Sequence, residues 1–599
     1  MSIAPMQRVT LIGLAERKRE ILRRLQALGV AHVIMRGEAV EEDRREHLEL
    51  RAALDYLLDS PLRRRLQRPA ETPELAKLLE TIHTNRRRRE DVVDRLTLLR
   101  RHRRALAPWG EFRFPPLEEL GGRRLWLYLV PLGRREAIDA IALPWAIVNR
   151  DHRNLYLVVI AADEPTPEQV PFARSHTGGR SLTDIRALEQ AAHGELEELD
   201  AERYVLTRWI ASLADQLARA ADDAELGRVM REGDDDGRLF VLDAWVPRRA
   251  MTTLKTLCRD GDVALRERAP RPDEEPPVLL DNPEWLAGGE EAVKFFQLPG
   301  YRSADPSAMV YVSFVLFFAI ILADAGYALA FGALVWLARR RWKRSVIGRR
   351  LGSMGLAMSG GALLYGILLG SYFGLAPPPG SPLAALQWLS IDDFGAMMTL
   401  SIAIGVLHLI AANALAAWYA KPRRLALGNL GWILLLGGGF ALWRVTQGAL
   451  ATPRLPWLAL MAGGALLVLL FSRATPFDGW RHAAQRLGGG LISLGGLSQA
   501  FGNALSYMRL FALGLSSASL AVTFNQLAVD AGHAAAGAGP LLFLVVLLLG
   551  HALNFALALM GGVVHGLRLN LIEFLRWGIK GEGRPYQAFA NKEESTWIK

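Results

Sequence analysis

The chain has 599 residues, 71 Lys+Arg against 61 Asp+Glu, and a single cysteine, Cys258. That length exceeds one ordinary domain, and a lone cysteine excludes an internal disulfide framework and any cysteine-cluster metal centre. The charge is unevenly placed: 22 of the basic and 9 of the acidic residues fall from residue 306 onward, so 1–305 carries a net −3 and 306–599 a net +13. A soluble part, 1–305, joined to an apolar, basic membrane part, 306–599, accounts for the split. The positive excess flanks apolar spans, as cytoplasmic loops do, and does not point to nucleic acid.

The N-terminus, MSIAPMQRVTLIGLAERKRE, has no signal-peptide hydrophobic region, which predicts a cytoplasmic soluble part. Residues 7–35 read as strand, helix and strand, the helix stopping at Gly29. Three β-rich runs follow over 124–162 (RLWLYLV, WAIVNR, NLYLVVIAA), and 239–268 gives strand, helix and strand again. Between them lie two long helical stretches, about 40–106 and 183–232. In the second, Ile185, Leu188, Ala192, Leu196 and Leu199, then Leu206, Ile210, Leu213 and Leu217, form one apolar stripe on a charged rod. The first carries Leu75, Leu78, Ile82, Val93, Leu96 and Leu99. Two surface helices of a globular domain would show such stripes too, but the length favours an antiparallel coiled-coil arm. No GxxxxGK[ST] phosphate loop occurs, and the acidic and basic side chains follow solvated helix faces rather than a catalytic cluster. Residues 270–305, Pro-rich and acidic, read as a linker.

Seven apolar segments follow, near 308–337, 350–374, 394–419, 425–447, 455–472, 488–529 and 538–577. Crossing hydrocarbon takes about 20 helical residues. The loops 339–350, 421–424 and 473–486 are basic and predicted cytoplasmic; 376–393 and 530–540 lack Lys and Arg and are predicted outside. Parity then forces 308–337 to enter and return, turning near Asp324-Ala325-Gly326, unless it is one long tilted helix that breaks the positive-inside pattern. The fold expected is mainly α: a soluble arm of two small α/β lobes joined by an antiparallel coiled-coil hairpin, then a membrane domain of about eight passes with two long tilted helices.

Arg509 sits in the middle of 488–529, a stretch whose only other ionisable side chain is Tyr507. It is too deep to snorkel, and exposure to lipid would cost at least about 2.5–3.5 kcal/mol. At helical spacing Ser498, Gly502, Ser506, Ala512 and Ser516 share its face, small enough to admit another helix and water. The last segment carries a second stripe: His551, Asn554, Gly561, His565 and Arg568. Two such helices suggest an ion path. The alternative is that each arginine merely pairs with a buried carboxylate. No Asp or Glu occurs over 479–529 or 531–572, leaving Asp324, Asp392, Asp393 and Asp478, so the partner carboxylate is expected on another subunit. Glu573 reads either as a channel-mouth acid or as a plain interfacial charge, with the second favoured. Arg444 and Arg473 read as anchors, and Tyr507 and GWILLLGGG (431–439) as packing.

LSYMRLFALGLSSASLA and LMGGVVHGLRLNLIEFLRW resemble the two arginine helices of the stator a/I subunit of rotary V-type (V/A-type) ATPases. FFAIILADAGYALAFG is similar to that family's first hairpin, usually written around FGDxGYG; LLYGILLGSYFG, VTLIGLAERKREILRRLQALGVAHV, DAWVPRR and PPVLLDNP…FFQLPGYRSADPS also fit. The resemblance covers nearly the whole chain. It implies a non-catalytic, cofactor-free subunit that faces a rotating c/K ring of proteolipids, each with a carboxylate, and offers two aqueous half-channels for protons or Na⁺. It implies Arg509 as the essential arginine and Arg568 as its companion. The hairpin is implied to bind peripheral stalks of E/G type and the soluble part a central-stalk d/C-type subunit. The lack of a signal peptide and of extracellular domains suggests a prokaryotic plasma membrane. Opposite Arg509 a ring carboxylate ionises, since a neighbouring positive charge favours the anion, and a guanidinium stays charged throughout. The sequence departs from the pattern at Ala558, where eukaryotic relatives often carry an acid, and at ADAGY in place of GDxGY. His551, Asn554, His565, Glu573, Ser506 and Ser516 are therefore candidates taken from this sequence's own stripes, not from the family. A stand-alone secondary transporter or channel is the competing reading; it would carry its own midplane carboxylate or an internal repeat, and neither is seen. A membrane scaffold with packing arginines is the third.

Overall fold

The computed structural model describes residues 2–35, 42–64, 74–111, 118–175, 180–232, 237–343, 345–473, 479–534, 537–578 and 581–592. Asp478 and parts of the loops 339–350, 473–486 and 530–540 lie outside the described residues. In chain order the elements are β1 (Met6–Leu14), α1 (Lys18–Leu28), β2 (His32–Val33), α2 (Glu42–Leu58), α3 (Leu75–Leu106), β3 (Arg124–Pro131), β4 (Trp145–Arg150), β5 (Asn154–Ala161), β6 (Ala173–Arg174), α4 (Leu182–Leu206), α5 (Ile210–Arg231), β7 (Leu239–Pro247), α6 (Met251–Asp260), β8 (Ala264–Arg268) and α7 (Ala287–Phe296). The apolar part adds α8 (Ser307–Leu322), α9 (Ala325–Trp342), α10 (Val346–Leu369), the single turn α11 (Pro382–Ala385), α12 (Phe394–Tyr419), α13 (Leu425–Thr446), α14 (Arg454–Phe471), α15 (Gly479–Leu494), α16 (Leu497–Ser506), α17 (Met508–Ala534), α18 (Gly539–Arg568) and α19 (Leu575–Gly578). These residues form two compact units, both discontinuous: one of 1–14, 30–34 and 235–588, the other of 15–29, 35–234 and 589–599.

In the second unit, α3 and α4 form the antiparallel hairpin that the stripes predict. Asn85 meets Leu199 and Glu202, Arg89 meets Asp200, Arg95 meets Glu195 and Arg103 meets Glu189, so the chain directions oppose. The seam is Val92, Leu96, Leu99 and Leu106 against Leu182, Ile185, Ala192 and Leu199. Val92 rather than Val93 is the buried residue of that turn, and Leu188 is exposed. Ser181 caps α4 in a capping box with Asp184. At one end α2 and α5 close over α3 through Leu50, Leu54, Leu57, Ile82, Ile210, Leu213 and Leu217. Between α3 and α4 in the chain comes a four-stranded sheet of order β4-β5-β3-β6. Alternate residues of β3 and β5 (Trp126, Tyr128, Val130; Leu155, Leu157, Val159) build its core.

The other unit contains the sheet β2-β7-β1-β8. Strand pieces more than two hundred residues apart interleave in it: Val9 pairs with Ala244 and Leu11 with Leu242. In the same unit α7 lies against α8 and α10. Its Glu290 is 1% exposed and accepts hydrogen bonds from the Asn282 backbone (2.9 Å) and Arg350 (3.1 Å).

Six helices among the described residues are long and apolar enough to cross a membrane: Val346–Leu369, Phe394–Tyr419, Leu425–Thr446, Arg454–Phe471, Gly479–Ala534 and Gly539–Gly578. The apolar α8 has 16 residues, about 24 Å at 1.5 Å each. It ends where Ala323 adopts the left-handed conformation (φ 50°) and Asp324 caps α9. Along α10, Gly361 meets Val315 and Gly366 meets the Asp324–Ala325 break, so α8 runs parallel to α10. Gly355 meets Val335 and Ser359 meets Ala328, so α9 runs antiparallel to it. The segment 308–337 is therefore a hairpin of two helices, the shape that loop parity predicts, and is not one long helix. Gly366 is needed at the break: a Cβ there would strike the Ala325 backbone nitrogen.

Candidate ion-translocation site

Two polar clusters form where α18 packs against α8, α9 and α17. The inner cluster lies at the Arg568 end. Helix α16 ends at Ser506, and α17 begins just beyond Tyr507. Ser506 Oγ donates to Glu573 Oε1 (2.8 Å), and Arg568 Nε lies 3.9 Å from the same oxygen. Residues five apart on an α-helix point about 140° apart. Here Leu569–Phe574 is a π-helical turn, wider per turn, and it draws Arg568 and Glu573 to one side; such turns recur at functional sites. His565 lies within electrostatic range of both Arg509 and Arg568. Three atoms of this cluster are buried with no hydrogen-bond partner: Arg509 Nη1, His565 Nδ1 and Glu573 Oε2.

Two expectations are corrected here. Glu573 is not a plain interfacial charge: it is 4% exposed, because the π turn rotates it inward. Arg568 does not depend on another subunit for its counter-ion, since Glu573 stands beside it. Its side chain is also half exposed (52%) rather than buried. Arg509 differs: among the described residues it makes no ion pair within 4 Å and no hydrogen bond. The residues on its face, Ser498, Gly502, Ala512 and Ser516, are exposed on the outer surface of the helix. Ser516 joins neither cluster.

The outer cluster gathers His551 and Asn554. His551 Nδ1 is 2.7 Å from Tyr327 Oη, and Nε2 is 2.9 Å from Asn525 Oδ1. Asn554 Nδ2 donates to Tyr327 Oη (3.0 Å) and to the Ser517 carbonyl (2.8 Å). Asp324, 2% exposed, accepts from Tyr327 N (2.9 Å), Ser371 Oγ (2.7 Å), Phe373 N (3.0 Å) and Gly374 N (3.0 Å). It is thus a satisfied anchor that fixes Tyr327 below His551.

His551 and His565 are about 21 Å apart along α18. Between them the inward face is apolar. Gly562 lets the ring of Phe318 press onto the helix, with a Cβ position there 2.7 Å from a ring carbon, and Phe314 meets Gly566 just beyond His565. Phe555, Ala558, Leu559 and Val563 complete this apolar layer. On the other side Gly514 of α17 faces the Ile320 carbonyl, at 2.6 Å from a Cβ position. Two polar clusters thus lie on one helix with an apolar seal between them.

No family model matches the chain. Subunit I of the V-type ATP synthase of Chlamydia pneumoniae is 28% identical over 415 residues, which are 58% of this chain and 60% of that protein. The A-type ATP synthase subunit I of Methanocaldococcus jannaschii is 27% identical over 461 residues, 69% and 64% of the two chains. These two matches span less than two thirds of those proteins. The V-type ATP synthase subunit I 1 of Treponema pallidum is 24% identical over 633 residues, 98% of this chain and 100% of that protein. The chain is homologous to subunit I of V-type and A-type ATP synthases. With its six apolar helices this subunit I homologue is an integral membrane protein. Among solved structures, one titled as the cytoplasmic N-terminal domain of subunit I, homolog of subunit a, of V-ATPase matches 44% of this chain and 100% of its own at 14% identity; its TM-score of 0.23 carries no weight.

Several site residues of this subunit I homologue escape a sequence reading. Asn525 carries no signal beyond its type, and Ser371 follows the end of α10. Asp324 is visible as a helix interruption, and the DAGY pattern could have marked Tyr327 as the residue its carboxylate caps. Tyr507, read as packing, is fully buried, and its hydroxyl also lies 2.7 Å from His408 Nδ1. His408 in turn stacks on Phe574 at 4.4 Å.

Proposed function

We propose that the chain is the membrane stator subunit of a rotary V/A-type ATP synthase, and that its two polar clusters are the ends of two half-channels. The observation that carries this is the pair of clusters about 21 Å apart on α18, separated by the apolar layer of Phe318, Phe555, Ala558, Leu559 and Val563, with an unpaired Arg509 beside the inner one. An ion that enters one cluster cannot continue along the chain to the other. It has to be carried past the seal by something mobile outside this chain. The exposed, small-residue face of α16 and α17 suits a close-approaching neighbour. A neighbour bearing protonatable carboxylates, as in a proteolipid ring, would cross lipid neutral and ionise opposite Arg509.

In this reading residues 1–305 are the cytoplasmic part, 306–599 the translocating part, and the α3–α4 hairpin the arm that holds peripheral stalks. A central-stalk subunit docks on the soluble part, and the complex lies in a prokaryotic plasma membrane. The subunit itself performs no covalent chemistry. The test is ATP-driven ion pumping by the assembled complex carrying Arg509→Ala. Pumping should disappear while the ring and nucleotide-binding subunits still co-purify. Pumping at the parental rate would refute the assignment.

A further inference from the structure

We infer that His551 is the proton relay of the outer half-path, held in one tautomer by Tyr327 and Asn525 as positioning residues. The inference rests on the half-channel reading and adds the group that takes up and releases the proton there.

The tautomer follows from which atoms can donate. Asn525 Nδ2 donates to the Phe373 carbonyl (2.8 Å), so its Oδ1 is the end that faces His551 Nε2. An amide oxygen only accepts; Nε2 therefore carries the hydrogen. The neutral ring then has its lone pair on Nδ1, and the Tyr327 hydroxyl 2.7 Å away donates to it. Oη in turn accepts from Asn554, whose amide is held by the Ser517 carbonyl. Each of these hydrogens is placed without conflict, and the protein's fixed dipoles select one tautomer.

Adding one proton at Nδ1 makes the ring a donor on both sides. Only the Tyr327 hydroxyl has to change role: it turns and accepts from Nδ1–H, while Asn525 Oδ1 goes on accepting from Nε2. The extra proton resides on the ring alone and comes from and returns to water, since His551 is only part-buried. The ionisable groups facing the ring are Tyr327 on α9 and Asp324 at its cap, the latter within electrostatic range. α17 offers the neutral Asn525, and the turn after α10 offers the Phe373 ring at 5.9 Å. The oxygens of Asp324 accept from four donors, and both ring nitrogens are engaged.

The test uses the whole complex in proteoliposomes, with ATP-driven lumen acidification and ²²Na⁺ uptake followed from pH 5.5 to 8.5. His551→Gln should lower acidification about tenfold or more, within the range of a lost proton-transfer group, and flatten its pH profile. Tyr327→Phe keeps the ring beside Phe373 and Phe555 (5.3 and 5.8 Å). It should assemble normally and displace the pH profile, which a packing role alone would not do. Asn525→Asp should displace it in the same assay. If His551→Gln matches the parent in rate and profile while Arg509→Ala is dead, the relay is wrong and the stator reading stands. If Arg509→Ala also pumps, both fall. Uptake of ²²Na⁺ in place of acidification overturns the relay as well.

Discussion

The two clusters on α18 differ in what they leave open. In the outer one, both nitrogens of His551, both oxygens of Asp324 and the Tyr327 hydroxyl have partners; the unpartnered buried atoms, Asn554 Oδ1 and Ser517 Oγ, belong to neutral groups. In the inner one the unpartnered buried atoms belong to Arg509, His565 and Glu573. A buried ionisable group without a partner is costly, several kcal/mol for a full charge. Leaving an unpartnered atom on each of three such groups around one point is reasonable only where water or another molecule completes the site. The ionisable groups of the outer cluster find their partners within the chain, and the inner one is built to be completed from outside. That contrast is what loss of Arg509 tests most severely, and loss of His551 next.

The inner cluster can be probed further through Glu573. Glu573→Gln keeps an acceptor for Ser506 but removes the negative charge beside Arg568. We expect pumping to fall about tenfold, equivalent to about 1.4 kcal/mol, with assembly and detergent stability unchanged. If instead the complex loses stability and keeps its rate per assembled particle, Glu573 is structural and the inner cluster resembles the outer one after all.

How far the sequence alone reaches is clear from particular residues. The stripe of Leu96, Leu99, Ile185, Ala192 and Leu199 suffices to infer the hairpin, because helical spacing is local. The return at Asp324 follows from loop charges and parity. The pairing of β1 with β7 does not follow, since a register set between residues 9 and 244 leaves no trace in either strand alone. Arg509 stands out because a lone charge among apolar residues is costly wherever it points. Glu573 is misread because a place near the end of the last segment does not say which way a side chain points, and a π turn there buries it. Asn525 is invisible for a different reason: an amide is an ordinary residue until a histidine from another helix arrives beside it.

In the outer cluster, Asp324→Asn replaces a carboxylate that takes four hydrogen bonds with an amide that can take fewer and adds donors facing donors. Hydrogen bonds to charged groups are each worth about 1.5–3 kcal/mol, so a loss of about 2–3 kcal/mol in the thermal or denaturant stability of the purified membrane complex is expected. Residual pumping per surviving complex should stay close to the parent, because Asp324 anchors Tyr327 and carries no proton. A variant that is fully stable but unable to pump would reassign Asp324 from anchor to carrier and erase the distinction between the clusters.

A carboxylate outside the membrane helices gives the smallest effect and a useful reference. Glu274 is held by Arg268 and by Arg8, and it accepts from the Arg271 backbone at 2.9 Å. The hydrogen bond from Arg268 above all, then the Arg271 N–H and Arg8, holds its carboxyl well below the ordinary 4.5. A carboxyl depressed on folding adds stability above its unfolded value and loses it as pH falls through the folded one. Glu274→Gln should therefore cost little at neutral pH, about 1 kcal/mol or less for a water-accessible pair. The difference from the parent should persist down to about pH 4.5 and close below it. It should also shrink in high salt, since exposed charges are screened. Glu573 and Arg568, with the carboxylate enclosed by helices, should respond far less to salt. Equal salt sensitivity at the two sites would mean that the inner cluster is as open to water as the linker, and that Arg509 does not need a neighbour to complete it.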